Sequence, residues 1–338
     1  MTDADRFGDE RPVALLLPGQ GAQYARMAVP LYEREPDFRV IVDEFLELMG
    51  EEGRRIRADW LGPDPLLPID AGRRAQPLLF AVGYAVGLLL QQRGLRPAVL
   101  LGHSVGELAA ATLAGVFDLP GAARIMLARC RVLETAPAGG LLAVAATPEH
   151  VESRLDPDLM ERGLVVGAVN APAQTVLAGP ETLLGTVDLA LRDAGLVTRR
   201  VRAHEPFHSP VLDEAALVFE EAVAAESPAP PRITVRSART GLPVRAEEAV
   251  DPAFWARQMA EPVMYWQALA GLLDDGEYVL VETGPGNSLS APARRHRSVR
   301  SGATEVVCML PTERGDCWAT WTAALRRLEA VRGGGARV

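Results

Sequence analysis

The sequence contains no lysine, because arginine supplies all 35 of its Lys and Arg residues. A chain without lysine cannot use a P-loop lysine, a Schiff-base lysine, or a lysine that carries a lipoyl or biotinyl group. Cysteine is scarce as well, since the three residues Cys130, Cys308 and Cys317 include no C-x-x-C pair. This number and spacing exclude a disulfide framework and a cysteine-based zinc site.

Positive charge and long hydrophobic runs are also limited. The net charge at pH 7 is −9, which argues against general nucleic-acid binding. No uncharged run reaches the roughly 18 residues of a membrane-spanning helix, and residues 1–12 lack the apolar segment of a signal peptide. We therefore expect a cytoplasmic protein with neither nucleic acid nor membrane among its partners. Its 338 residues fit one large domain, or one and a half.

Short apolar runs that end in glycine turns predict an α/β core. Residues 13–17 (VALLL) lead into the turn at residues 18–21 (PGQG), and residues 98–101 lead into Gly102. Each run has the length and composition of a buried strand. Helical patterns occupy residues 78–90 and 107–113.

From residue 141 the pattern changes to a small α+β insert. Strands predicted at residues 141–145, 164–169 and 175–178 alternate with helical stretches at 148–154 and 181–194, and another strand follows near Val201. Further along, the patterns predict helices at residues 252–259 and from Trp266, and a strand at residues 278–282.

Residues 102–106 (GHSVG) form a G-x-S-x-G pattern between a predicted strand and a predicted helix. Composition gives about 0.08 chance matches to the bare pattern in this chain, before that context is required. In a nucleophile elbow of this kind, the flanking glycines allow a sharp turn and Ser104 lies at its tip. The N–H of Val105, at the start of the helix, is then available to an oxyanion.

The turn at residues 19–23 (GQGAQ) has two interpretations. It is either an ordinary strand-to-helix turn or the source of a second oxyanion donor, the N–H of Gln20. Acyl transfer needs two such donors.

A serine nucleophile also needs a base, and the chain has five histidines. His103 follows the strand on the tight turn, His150 falls in the insert, and His296 lies in an arginine run. His204 and His208 remain, four residues apart, and Pro206 between them argues against a helical metal pair. Spacing alone does not decide between these two histidines.

Five motifs occur in the same order as in a known family, over roughly residues 13–312: residues 17–23 (LPGQGAQ), 76–77 (QP), 102–107 (GHSVGE), 207–209 (FHS) and 282–286 (ETGPG). With them the sequence resembles malonyl-CoA:acyl carrier protein transacylases and polyketide-synthase acyltransferase domains. The resemblance implies an α/β fold. An α/β-hydrolase-like large subdomain, residues 13–139 and 203–325, would carry an inserted ferredoxin-like small subdomain, residues 140–202, with flexible tails at 1–12 and 333–338.

The resemblance also implies a catalytic apparatus. Ser104 would be the nucleophile and His208 the base, with Gln20 and Val105 forming the oxyanion hole. A main-chain carbonyl, rather than a carboxylate, would orient the histidine, and the matching position is Gln258. No metal and no bound cofactor are implied, because the acyl group arrives on coenzyme A or on phosphopantetheine.

The substrate-binding residues follow from the same resemblance. Arg129 matches the arginine that pairs with the free carboxylate of a malonyl group, and a guanidinium suits that task because it forms two parallel hydrogen bonds. Gln76 and Asn170 match positions that line the acyl pocket. Phe207 is typical of malonyl-selective members, in which its bulk fills the space of an α-methyl group.

Two residues depart from the family pattern. Glu205 and Pro206 stand before Phe207, where malonyl enzymes usually carry small or aromatic residues. These substitutions leave the identity of the acyl group open.

The predicted function is that of a discrete acyltransferase. It would move an acyl group, most simply malonyl from malonyl-CoA, through a Ser104 ester to the phosphopantetheine thiol of an acyl carrier protein acting in trans. Residues 251–258 (DPAFWARQ) favour polyketide and antibiotic biosynthesis over housekeeping fatty-acid synthesis. One alternative is carrier-to-carrier transfer of a longer or aminoacyl group, for which an acidic Glu205 would suit an amine. A second is an editing thioester hydrolase, which Arg129 argues against.

Two arginine clusters admit two interpretations. They are either solvated surface or a docking patch for an acidic carrier protein. The clusters comprise Arg199, Arg200, Arg202, Arg294, Arg295 and Arg297.

Overall fold

Nine strands form two sheets in the computed structural model, which describes residues 11–333. The strands are β1 Val13–Leu17, β2 Pro97–Gly102, β3 Gly139–Val144, β4 Val165–Ala171, β5 Gln174–Pro180, β6 Thr198–Arg200, β7 Thr234–Arg236, β8 Val279–Glu282 and β9 Glu305–Cys308.

Sixteen α-helices and two short 3₁₀ helices, Pro210–Leu212 and Arg257–Met259, complete the described part of the chain. The α-helices are α1 Val29–Arg34, α2 Pro36–Leu48, α3 Gly50–Leu61, α4 Gly72–Gln92, α5 Val105–Leu113, α6 Leu119–Val132, α7 Pro148–Glu152, α8 Pro157–Glu161, α9 Glu181–Asp193, α10 Asp213–Ala224, α11 Ala246–Ala249, α12 Pro252–Ala256, α13 Tyr265–Asp275, α14 Ser290–Ala293, α15 Arg297–Arg300 and α16 Cys317–Gly333.

The larger sheet is parallel throughout, with strand order β7-β2-β1-β8-β9. Its central strand β1 is buried along its whole length. Leu15 and Leu17 belong to the core on the side of α4, whereas Ala14 and Leu16 belong to a second core that includes Leu269 of α13. Burial on both faces explains why this strand is a continuous apolar run rather than an alternating one.

The smaller sheet is antiparallel, with strand order β4-β5-β3-β6. Strands β3 and β4 run in the same direction with β5 between them, and α7 and α8 connect them; α9 connects β5 to β6. This is the split β-α-β arrangement of ferredoxin-like folds. The predicted α/β class, with a ferredoxin-like insert, is therefore confirmed.

One apolar core joins the two sheets. Leu16 of β1 and Leu101 of β2 share it with Val176 and Ala178 of β5. The main chain also connects β4 to the segment before α13, since Val169 N donates to Val263 O at 2.8 Å and Val263 N donates to Gly167 O at 2.9 Å. The small sheet therefore lies against the edge at which β1 and β2 end.

The predicted tails require a correction at both ends. Arg11 forms an ion pair with Glu305 at 2.5 Å, and Pro12 O accepts from Val279 N at 2.9 Å. Both residues therefore belong to the folded unit, and Gly333 ends α16. The remaining tail residues, 1–10 and 334–338, lie outside the described residues. Within residues 11–333, no helix is both long and apolar enough to cross a membrane.

Candidate active site

Ser104 lies in the sharp turn between β2 and α5. Its backbone has φ 54° and ψ −126°, a conformation that L-residues rarely adopt. A Cβ at Gly102 would collide with the backbone of Glu107, and a Cβ at Gly106 would collide with the carbonyl of Leu17. Glycine is therefore required on both sides of the serine, as the elbow interpretation predicted.

His208 is the histidine that meets this serine. Its Nε2 lies 2.8 Å from Ser104 Oγ, and both residues are buried. His204, the alternative on spacing alone, is exposed. Pro206 keeps the intervening segment out of a helix, and His208 itself has φ 64°.

The orientation of His208 differs in part from the prediction. Its Nδ1 forms a 2.9 Å hydrogen bond with the carbonyl of Glu261, three residues beyond the predicted Gln258. The backbone of Gln258 also favours the protonated ring, but more weakly than that of Glu261. The bend after the 3₁₀ helix Arg257–Met259 turns the Glu261 carbonyl toward the ring. Nδ1 therefore carries the proton and Nε2 is free to accept one.

The environment of His208 keeps the ring neutral. Burial, followed by the nearby His103 and then Arg129, lowers its pKa to about 3. All three effects disfavour the imidazolium ion and outweigh the raising effect of the Glu261 carbonyl. A neutral imidazole beside a hydroxyl is the protonation state that a general base requires.

His103 also belongs to the site, although its position in the tight turn gave no indication of this. Its Nε2 lies 2.8 Å from Asn170 Oδ1, and its ring contacts Tyr265. Asn170, near the end of β4, and His103 both line a cleft between the two sheets. The predicted pocket residue Asn170 therefore touches the elbow through His103.

The two candidate oxyanion donors lie in the turns that follow two different strands, β1 for Gln20 and β2 for Val105. Val105 is the first residue of α5, so its N–H has no carbonyl partner in a preceding helical turn. The turn that contains Gln20 follows β1 and packs tightly on the elbow, since a Cβ at Gly19 would collide with the carbonyl of His103. The adjacent parallel pairing of β1 and β2 brings these two turns together.

Arg129 extends from α6 into the protein interior and is fully buried. Its Nε donates to Gln76 Oε1, while Nη1 and Nη2 have no hydrogen-bond partner among residues 11–333. The guanidinium lies over the rings of Phe207 and Phe219, at 5.7 and 5.4 Å from their centroids. Burial lowers the pKa of Arg129 to about 10, so it remains a cation at neutral pH.

A chain of amide contacts connects this arginine to the first turn. Gln76 Nε2 donates to Gln20 Oε1 at 2.9 Å, and Gln20 Nε2 donates to Asp70 O at 3.2 Å. Because arginine can only donate, the contact with Arg129 fixes which end of the Gln76 amide faces Gln20. The structure thus places Gln76, predicted from the resemblance to line the acyl pocket, in contact with both Arg129 and Gln20.

Glu205 forms hydrogen bonds with backbone N–H groups of the protein. Its carboxylate accepts the N–H of Gly72, the first residue of α4, at 3.2 Å, and that of His204 at 3.2 Å. A helix N-terminus stabilises such a negative charge. The carboxylate that the aminoacyl alternative would use is therefore already engaged by two N–H donors of the protein.

A cleft of about 670 Å³ opens between the two sheets, lined by residues that include Gln20, His103 and Asn170. Arg199, Arg200 and Arg202 line its small-sheet side. Among the six predicted docking arginines, Arg200 pairs with Glu181, Arg202 with Glu313 at 3.4 Å, and Arg297 with Asp274 at 2.7 Å. Arg199, Arg294 and Arg295 are exposed. Three positive charges of the patch are therefore partly neutralised.

Glu282 anchors the loop on the opposite side of this cleft. It ends β8, is fully buried, and accepts the N–H of Leu289 at 3.1 Å and of Ser290 at 2.9 Å. Burial raises its pKa to about 7 despite these hydrogen bonds.

We expect this shift to make stability fall with rising pH. The folded state holds a proton on Glu282 up to about pH 7, whereas the unfolded chain releases it near its ordinary value of 4.5. The free energy of unfolding should therefore fall by up to about 3 kcal/mol between pH 4.5 and 7 from this group. Urea unfolding of Glu282→Gln should show a shallower decline, while the exposed control Glu161→Gln keeps the wild-type slope. An unchanged slope in Glu282→Gln would contradict the assignment.

Comparison with known proteins defines the class. Residues 15–324 match the model of the acyl transferase domain. The chain therefore belongs to the acyl transferase domain family, and it is an acyltransferase.

The relatives are parts of much longer proteins. The chain is 36% identical over 294 residues to a phenolphthiocerol/phthiocerol polyketide synthase of Mycobacterium tuberculosis, covering 87% of this chain and 19% of that protein. It is 36% identical over 316 residues to polyketide synthase GfsB of Streptomyces halstedii, covering 90% and 6%. The chain thus spans less than a fifth of the length of these curated relatives.

Solved structures agree with the architecture. The acyltransferase domain from the second module of the salinomycin polyketide synthase superposes with a TM-score of 0.84 at 30% identity, covering 98% of this chain and 79% of that one. A malonyl-CoA:acyl carrier protein transacylase from Xanthomonas oryzae superposes with a TM-score of 0.80 at 27% identity, covering 94% of this chain and 98% of that one. The resemblance inferred from the sequence motifs is confirmed.

Metal-ligating side chains are not clustered in the described part of the chain. Within residues 11–333, no group of three or more histidine, cysteine, aspartate or glutamate residues is placed to hold a metal ion.

Proposed function

We propose that this acyltransferase moves a malonyl group from malonyl-CoA, through an ester on Ser104, to the phosphopantetheine thiol of an acyl carrier protein in polyketide biosynthesis. The observation that carries the proposal is that Nη1 and Nη2 of the buried Arg129 guanidinium have no hydrogen-bond partner within residues 11–333. Buried guanidinium nitrogens without acceptors are costly, and a bound carboxylate would supply the missing hydrogen bonds.

The first half of the reaction forms the ester. Ser104 Oγ attacks the thioester carbonyl while its proton passes to Nε2 of His208, 2.8 Å away. The N–H groups of Gln20 and Val105 stabilise the oxyanion. The intermediate collapses as the C–S bond breaks, and the coenzyme A thiolate takes the proton from His208.

The second half repeats these steps in reverse order. The carrier thiol gives its proton to His208 and attacks the ester carbonyl. The C–O bond to Ser104 then breaks, and the serine oxygen recovers the proton. No charged third residue is needed, because the Glu261 carbonyl holds Nδ1–H at 2.9 Å and fixes the tautomer.

The surroundings of Arg129 support a small dicarboxylic acyl group. Phe207 and Phe219 lie against the guanidinium, and the Phe207 ring also lies 6.3 Å from the ring of His208. The aromatic wall thus runs from the carboxylate-binding end to the reacting end. It restricts the space in which an α-substituent would sit, which favours malonyl over branched analogues by about 1–3 kcal/mol per methyl group.

The partner is an acidic carrier protein in this proposal. Arg199, Arg294 and Arg295 are exposed, and within residues 11–333 they form none of the ion pairs that engage Arg200, Arg202 and Arg297. Charge complementarity at such a rim raises the association rate more than the affinity. We therefore expect docking there to weaken with salt.

Mass spectrometry of the intact protein tests the proposal. After brief incubation with malonyl-, methylmalonyl- and acetyl-CoA, and with aminoacyl and longer acyl groups on a carrier, malonyl-CoA should give the largest adduct. Addition of a separate acyl carrier protein should remove that adduct and acylate the carrier. If malonyl-CoA leaves no adduct while a carrier-bound group does, the malonyl proposal is wrong. If the adduct forms but water alone discharges it as fast as the carrier, the protein is a hydrolase.

The pH dependence of ester formation follows from the shifted pKa values. With the pKa of His208 near 3 and that of Arg129 near 10, the base stays neutral and the carboxylate site stays positive from about pH 5 to 9. The single-turnover rate with malonyl-CoA should therefore be flat across this range. Rapid-quench measurements at intervals of half a pH unit will check this. A loss of rate centred near pH 6.5 would indicate an ordinary histidine and contradict the expectation.

A further inference from the structure

One short segment holds both members of the Ser104–His208 pair. Gln258 Nε2 donates to the carbonyl of Ser104 at 2.6 Å. The next residue, Met259, accepts the backbone N–H of His208 at 2.8 Å, and Glu261 accepts from Nδ1 of the same histidine at 2.9 Å. The distance between nucleophile and base is thus set by residues 258–261.

Glu107 is the buried carboxylate that connects this segment to the elbow helix. It lies three residues after Ser104 in α5 and is 2% exposed. Its Oε2 accepts from Gln258 Nε2 at 2.8 Å, and its Oε1 accepts the backbone N–H of Ala238. The reaction described above makes no use of this carboxylate.

The contacts of Glu107 fix which end of the Gln258 amide faces Ser104. Both hydrogens of Nε2 are engaged, one by Ser104 O and one by Glu107. The other end of the amide, Oε1, is buried and has no partner in the described part of the chain. Rotation of the amide by 180° would turn Oε1 toward two acceptors, a carbonyl and a carboxylate. The amide therefore stays in the one orientation that holds the Ser104 carbonyl, even at the cost of an unpaired oxygen.

We propose that Glu107 and Gln258 are positioning residues for the nucleophile. Gln258 holds the carbonyl of Ser104, and Glu107 holds Gln258, so that the strained elbow presents Oγ to the same segment that orients His208. The φ of 54° at Ser104 needs such support, because a non-glycine residue keeps this conformation only when its surroundings enforce it. The inference rests on the proposed acylation of Ser104 and extends it to residues outside the Ser–His pair and the oxyanion hole.

The test compares two variants that separate positioning from packing. Gln258→Met keeps the size of the side chain and removes both donors. The double variant Glu107→Gln/Gln258→Glu exchanges donor and acceptor, so that the two side chains still hydrogen-bond to each other. In the exchanged pair, however, a carboxylate oxygen faces the carbonyl of Ser104. Gln267 is exposed, and Gln267→Met provides a matched control with the same substitution.

Four quantities are measured at pH 9 for each protein. They are the rate of Ser104 labelling by a fluorophosphonate, the rate and half-saturating concentration of acylation by malonyl-CoA, and the thermal unfolding midpoint. Gln258→Met and the double variant should both lose about 100-fold in the two rates, as expected for a nucleophile displaced by about 1 Å. The half-saturating concentration should stay within about threefold, because Arg129 is untouched. The double variant should unfold within a few degrees of wild type.

If Ser104 in the double variant is labelled at the wild-type rate, the inference is overturned, since the pair would then act only through packing. Wild-type labelling of Gln258→Met would overturn it as well; if that variant fails to fold, the double variant decides. A wild-type protein that neither reagent modifies at Ser104 would overturn the inference together with the proposed function. If the wild-type protein is labelled at Ser104 and both variants are labelled at the same rate, the inference is overturned and the proposed function stands.

Discussion

Replacement of Ser104 or of His208 by alanine should lower malonyl transfer by about 10,000-fold or more in each case. In the proposed reaction, Ser104→Ala removes the atom that would carry the acyl group, and His208→Ala removes the nitrogen 2.8 Å from it that would accept its proton. Losses of this size are typical when a serine or its histidine base is removed, because the remaining oxyanion donors can neither supply a nucleophile nor deprotonate one. Transfer of radiolabelled malonyl to a purified acyl carrier protein gives the range needed to measure it.

The double variant Ser104→Ala/His208→Ala should be no worse than either single variant. The two side chains act as one unit, so their losses do not add. The exposed His204 provides a matched control, because it lies only four residues before His208 and is not in contact with Ser104 in the described structure. His204→Ala should retain transfer within about twofold. Losses that multiply in the double variant, or a His204→Ala variant as inactive as His208→Ala, would contradict the assignment of the base.

Sequence reasoning located the elbow because its requirements are local. The strand before Ser104, the glycines at positions 102 and 106, and the helix after it are all written within about 15 residues. A serine in that turn can adopt few other conformations. The apolar runs of β1 and β2 were also readable, since strands buried on both faces need continuous apolar sequence.

The carbonyl that orients His208 could not be located in the same way. Every residue has a carbonyl, and the difference between Gln258 and Glu261 depends on how the chain bends after the 3₁₀ helix Arg257–Met259. No side-chain pattern encodes that bend. Sequence reasoning therefore found the correct segment and the wrong residue for the stronger hydrogen bond.

Other features were missed because they depend on contacts distant in sequence. Glu107 was noticed only as part of a motif, and its contacts with Ala238 and Gln258 join residues more than 130 positions apart. Strand β7 has three residues and β9 has four, which is too short for a periodic signal. Glu205 was recognised only as a departure from the family pattern, and only the fold brings the N-terminus of α4 to its carboxylate.

The second large effect is expected from replacement of Arg129, which should weaken loading of malonyl far more than loading of acetyl. In Arg129→Met, loading of malonyl onto Ser104 should fall about 100-fold or more, because the substrate carboxylate enters the buried site without its cation. Loading of acetyl, which has no carboxylate, should change by less than about fivefold. The ratio of the two rate constants kcat/KM, measured by single-turnover acylation with each coenzyme A thioester, is the decisive quantity.

The same substitution should hardly affect folding. Within residues 11–333, Nη1 and Nη2 of Arg129 make no hydrogen bonds, so the methionine variant loses the bond from Nε to Gln76 and the cation–π contacts with Phe207 and Phe219. Removal of a buried charge with two unpaired nitrogens offsets these losses, and we expect the free energy of unfolding to stay within about 1 kcal/mol of wild type. Arg131→Met, on the exposed face of the same helix, is the matched control and should keep both malonyl loading and stability.

The combination of results is what identifies the role of Arg129. If Arg129→Met loses malonyl loading but keeps acetyl loading and stability, the guanidinium binds the carboxylate of the substrate. Equal losses with both thioesters would assign Arg129 to the reacting centre, where it already contributes to the low pKa of His208. Malonyl loading that survives in Arg129→Met would show that the unpaired nitrogens serve another anion, and the malonyl proposal would then be wrong.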